Sequence, residues 1–121
     1  MEGLVTEHLT IEVLDQPDSG GVLLKWSGRC AERYPQRILG PFLRKVLEAV
    51  SERNCSIAMD FKSLTFLNSS AITVIVHFLR DAHRQKVRQR LYFDPQIGWQ
   101  KMTSDAVRAL SHGDLLLEVQ T

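Results

Sequence analysis

Residues 66–79 read F-L-N-S-S-A-I-T-V-I-V-H-F-L and place adjacent hydroxyls, Ser69 and Ser70, where a polar turn gives way to a long apolar run. Hydroxyls in such a place either help a helix to begin or take part in chemistry. Chemistry of their own would need activating partners, and no enzyme constellation accompanies them: the chain has no Walker A loop, no G-x-S-x-G elbow and no G-x-G-x-x-G after a strand. Asp60 lies at the end of an apolar segment without a paired carboxylate or nearby histidine, so it reads as a loop anchor rather than a catalytic acid. His77 and His83 are badly spaced for two ligands on one helical face, and no H-E-x-x-H or matching cysteine appears. Neither catalysis nor a metal or other cofactor is expected.

The totals narrow the field further. A chain of 121 residues suffices for one domain, residues 1–121, with a modest core that needs neither disulfides nor metal. Lys plus Arg (15) nearly balance Asp plus Glu (14), and a net charge of +1 argues against a dedicated nucleic-acid binder. Cys30 and Cys55 have no C-x-x-C spacing and read as two thiols in a reducing compartment. The first residues, M-E-G-L-V-T-E-H-L-T, carry acids where a secretory signal would be basic. No run reaches the ~18 apolar residues of a membrane span. A cytoplasmic location is expected.

The elements that must position the serines follow from periodicity. Leu9–Leu14 alternates as a half-buried strand, D-Q-P-D-S-G-G (Asp15–Gly21) reads as a turn, and Val22–Trp26 resumes as a strand that should stop at Gly28. Between Gln36 and Arg53, apolar residues recur at helical spacing. Pro41 moves the expected helix start to about Gly40, where a missing N–H costs little. Ile57–Phe61 is a buried strand, Lys62–Leu67 a loop, and Ser69 to about Lys86 a helix capped by Asn68, with Ile72, Ile75, Val76, Leu79 and Ala82 facing the core. Strand Arg90–Asp94, helix Trp99–Leu110 and strand Leu115–Val119 complete a ββαβαβαβ order, without internal repeats. That order predicts an α/β fold: a mixed β-sheet, largely parallel in its later part, covered by amphipathic helices.

The hairpin ending at W-S-G-R (Trp26–Arg29), the strand I-A-M-D-F (Ile57–Phe61) and the S-L-T-F-L-N-S-S-A-I-T-V-I-V-H-F-L stretch resemble the STAS domain, the fold of anti-sigma-factor antagonists and of the cytoplasmic tails of sulfate transporters. The resemblance spans nearly the whole chain. It implies a protein-interaction module without catalysis, switched when a partner serine kinase that is also an anti-sigma factor phosphorylates the first serine of the motif, with a phosphatase to reset it. That serine is Ser69. Where the family has an aspartate and a glycine, this chain has Asn68 and Ala71. Asn68 keeps the capping oxygen and loses the charge, and Ala71 adds a methyl. The resemblance also admits a subunit docking on the ATPase of an ABC transporter, or a small-ligand module using the loop Asp94–Gln100.

Beside the core-facing stripe, Ala71, Val74 and Phe78 form a second apolar strip on the same helix. A neighbouring helix covers it, or it joins Asn68 and Ser70 as a partner or homodimer surface next to Ser69. The basic segment Arg80–Arg90 falls at a helix C-terminus, where cations complement the dipole on a solvated face.

Overall fold

A computed structural model of the chain describes residues 1–16 and 20–121. Its elements are β1 (Leu4–Val5), β2 (Leu9–Gln16), β3 (Gly21–Cys30), α1 (Gln36–Glu52), β4 (Ile57–Leu67), α2 (Ser69–Arg84), β5 (Gln89–Tyr92), α3 (Gly98–Leu110) and β6 (Leu117–Gln120). All six strands join one sheet in chain order. Pairing is antiparallel from β1 to β3 and parallel from β3 to β6. The expected mixed α/β sheet and element order are therefore observed, with short β1 added at the start. Asp15, Gln16 and Gly21 pair across the hairpin rather than turning. Pro17, Asp18 and Ser19, the centre of the expected turn, lie outside the described residues.

Each parallel crossover steps to the next strand in the same direction, and right-handed crossovers then put every helix on one face of the sheet. Burial agrees. Val22, Leu24 and Trp26 of β3, Ile57, Met59 and Phe61 of β4, and Leu91 of β5 form the core with Leu39, Leu43 and Val46 of α1 and Ile75, Phe78 and Leu79 of α2. The opposite face carries the alternate residues, among them Glu12, Lys25, Asp60 and Tyr92 in one cross-strand row.

Three elements depart from the sequence expectation. β3 does not stop at Gly28 but runs to Cys30, because Gly28 adopts φ 90° at a register shift. A Cβ there would stand 2.1 Å from the His8 carbonyl oxygen, so the strand passes through this point only with glycine.

The supposed loop Lys62–Leu67 belongs to β4. Its register shifts against β3 break the two-residue alternation, so Phe61, Leu64 and Leu67 are buried while Lys62, Ser63, Thr65 and Phe66 are exposed. β5 pairs with β4 only as far as Asp60, leaving the rest of that β4 edge without a strand. Side chains from α3 take its place: Gln100 Nε2 donates to the Phe61 and Leu64 carbonyls at 2.7 and 3.0 Å, and Trp99 Nε1 donates to Leu64 at 2.9 Å.

α1 begins at Gln36, a turn before the position inferred from Pro41, and holds that proline inside. Leu39 is fully buried, so starting the helix only at Gly40 would forfeit its packing. Gly40 has open space where a Cβ would stand. Its role is conformational, because a Cβ on the residue before proline clashes with the proline ring in the helical region.

Candidate functional site

The start of α2 is tied to the end of β3 through Asn68. Its Oδ1 accepts the Ala71 N–H at 2.9 Å, which caps the helix, while its own N–H donates to the Cys30 carbonyl at 3.1 Å. The amide's other end, Nδ2, donates to the Glu32 carbonyl at 2.8 Å and so fastens the loop at residues 31–35. An aspartate, being acceptor-only when ionised, could cap but could not make that last bond. An asparagine rather than an aspartate at this position is thus accounted for within this fold.

Ser69 and Ser70 are the first residues of α2, and both are exposed. Neither hydroxyl has a hydrogen-bond partner among the described residues. Their backbone N–H groups precede the first intrahelical bond, Ile72 N–H to the Asn68 carbonyl, and are left for an incoming acceptor. No acidic residue occupies the first turn of α2. Among the described residues, no carboxylate or imidazole hydrogen-bonds either hydroxyl. Asp60 accepts the Lys62 N–H at 2.9 Å and anchors its own strand, from its middle rather than its end. Cys30, fully buried, has its thiol pushed up by burial and is a poor nucleophile.

The apolar strip beside the serines is mostly not surface, which corrects one expectation. Ala71 is 0% exposed and Phe78 5%, both inside the core. Phe78 packs toward α1: with Val74 it lines the groove between α1 and α2 together with Leu43 and Leu47. Val74 is half-buried and keeps one open edge. Of the residues expected to meet a partner, Asn68, Ser70 and Val74 remain reachable, while Ala71 and Phe78 are buried in the core.

The loop held by Asn68 brings in residues that the sequence reading passed over. Arg33 and Arg37 both lie against the Tyr34 ring, with guanidinium carbons 5.5 and 4.5 Å from its centroid. Tyr34 is 45% exposed. One signal for this cluster was available: residues 29–45 hold five Arg or Lys and a single acid, Glu32.

Elsewhere several polar groups have partners within the chain. In the basic segment, Arg84 pairs with Asp81, His83 meets Asp114 at 3.2 Å, and Arg90 meets Glu118 at 2.6 Å. Tyr92, then Glu118, raise the Arg90 pKa further. In the loop Asp94–Gln100, the Asp94 N–H donates to Gln100 Oε1 at 2.7 Å and the Gln96 N–H to Asp94 Oδ1 at 2.9 Å. The apolar cavity beneath it, between α2 and α3, encloses about 10 Å³, scarcely room for one water. Among the described residues, no group of three or more His, Cys, Asp or Glu converges, and no helix is long and apolar enough to cross a membrane.

No family model and no curated protein matches the chain. Among solved structures, it is similar to an uncharacterized protein of the DUF3478 family with a SpoIIAA-like fold from Shewanella loihica PV-4. The TM-score is 0.55 at 18% identity, covering 96% of this chain and 88% of that one. The six-stranded mixed sheet with its helices on one face is thus a SpoIIAA-like fold, the fold of the anti-sigma-factor antagonists that the sequence resembles.

Proposed function

We infer that this chain is a non-catalytic regulatory module that works by reversible protein binding, with Ser69 as the residue whose phosphorylation switches it. One observation carries the reading: on a SpoIIAA-like fold, an exposed seryl hydroxyl stands at the capped start of α2 with uncommitted N–H groups around it. A phosphoryl group there meets backbone donors and the positive end of the helix dipole, so the fold persists. The same group adds about −1.5 to −2 charges at neutral pH, and the docking face changes sign. The expected partners are a serine kinase with an anti-sigma role and a phosphatase that resets the switch.

Mass spectrometry of the protein from its own cells, across growth states, tests the site. Modification at Ser69 that varies with state supports the reading. Its absence under every state, or modification confined to another residue, overturns it. Capture on the unmodified protein separates the partner classes, since a kinase-like ATPase with an anti-sigma role fits and a transporter ATPase does not.

A further inference from the structure

The β3–α1 corner carries a cluster of basic side chains without ion pairs among the described residues. Between Arg29 and Lys45 stand five basic residues and one acid, in a chain whose net charge is only +1. Among the described residues, neither Arg33 nor Arg37 has an ion pair, and the same holds for Arg29 and Arg44 beside them; Arg53, Arg84 and Arg90 each meet a carboxylate. What the two guanidiniums have instead is Tyr34, against which both lie.

Stacking of this kind holds an arginine in place while leaving the N–H edges of its guanidinium free, and those edges match a carboxylate in a two-bond fork. Preorganisation lowers the ordering cost of binding, and an exposed Tyr between two Arg has the composition of an interface anchor. The corner is also fixed relative to the serines. Glu32, which precedes Arg33, accepts from Asn68, which precedes Ser69. Arg33 and Ser69 are thus each the next residue along the chain from the two that share this bond.

We propose that Arg33, Tyr34 and Arg37 form a docking surface for an acidic segment of a protein partner, its carboxylates forked by the two guanidiniums and its chain lying against the tyrosine ring. The inference rests on the reading of the chain as a protein-binding module and names the chemistry of the partner. On that reading a phosphoryl group on Ser69, at the helix start tied to this loop, adds negative charge to the same corner and weakens its hold on the partner's carboxylates.

The test is an NMR titration of the full, unmodified ¹⁵N-labelled chain with a short synthetic peptide of alternating glutamate and alanine. Shifts concentrated at residues 31–37 and 68–70 are expected. Affinity should fall by roughly tenfold in Arg33→Ala/Arg37→Ala, as loss of charge-assisted bonds implies, and should not return in Arg33→Lys/Arg37→Lys, which keeps charge without the fork. Both side chains are exposed, and Arg33→Gln/Arg37→Gln serves as a second variant should the alanine pair fail to fold. The control Arg80→Ala/Arg88→Ala should bind as the parent does. Equal loss in that control, shifts spread over Arg80–Arg90, or tighter binding of a single-stranded DNA oligomer at the same corner would each overturn the proposal. Because the protein is unmodified, the result does not depend on whether Ser69 is phosphorylated in cells, and the two readings fail separately.

Discussion

Asn68 bonds at three points, through its own N–H, its capping oxygen and its amide nitrogen, so its replacements separate the roles. Asn68→Ala loses both side-chain bonds and should destabilise the fold by about 1–2 kcal/mol. Asn68→Asp keeps the cap, adds a charge that the helix dipole favours by about 0.3–1 kcal/mol, and loses the bond to Glu32. Its cost should be clearly smaller than that of the alanine variant in urea denaturation. An aspartate cost equal to alanine's would mean that the bond to Glu32 dominates and capping contributes little. Phe78 offers the complementary case. From sequence alone it stood between core and partner surface, because an apolar strip looks the same whether another helix or another protein covers it. With α1 over it and 5% exposed, Phe78→Asp should abolish native circular dichroism, since an unpaired carboxylate would enter the core where a ring was removed.

Among elements, the legible ones were those whose period and caps agreed. α2 is the clearest: Asn68 caps it, the apolar stripe runs one way, and its start falls at Ser69 as expected. β4 was legible only to Phe61, because its later residues follow a bulged register whose open edge is satisfied by Gln100 and Trp99, side chains some 35 residues downstream, as their separations from Leu64 of 36 and 35 show. No local pattern announces such a partner. The same bonds make Gln100 a sensitive point: Gln100→Leu leaves the buried Phe61 carbonyl without its Gln100 donor, at about 1–3 kcal/mol, and frees the part-buried Asp94 N–H at a smaller cost, read by urea denaturation. The start of α1 is not legible from sequence because Pro41 signals a boundary that the tertiary packing of Leu39 overrides. Pro41→Ala should therefore raise stability by about 1–3 kcal/mol, by restoring a helical N–H and relieving the ring's clash. Gly40→Ala should gain about 1 kcal/mol only in that background and little or nothing beside the native proline. Equal gains in both backgrounds would show that the glycine is not there for the proline.

On the scale of the whole molecule, fold and charge are separable, and a switch requires that they be. The core is formed by the inward residues of the sheet and helices, and Ser69, Arg33, Tyr34 and Arg37 all lie outside it. Adding about −1.5 to −2 charges at Ser69 would reverse the sign of a chain whose net charge is +1, yet no buried contact has to move. Phosphorylated protein should accordingly keep its thermal midpoint within about 4 °C, the shift that a change near 1 kcal/mol brings in a domain of this size. Its NMR shifts should change mainly at residues 31–37 and 68–73, where the guanidiniums and the first turn of α2 meet the new anion. The perturbation should shrink as salt rises, because at 0.15 M the Debye length is only about 8 Å and exposed arginines lose their hold on an exposed phosphate. Salt-independent changes that reach β5 or β6 would instead mean that the modification works by rearranging the sheet, and a charge-reversed docking face would no longer account for it.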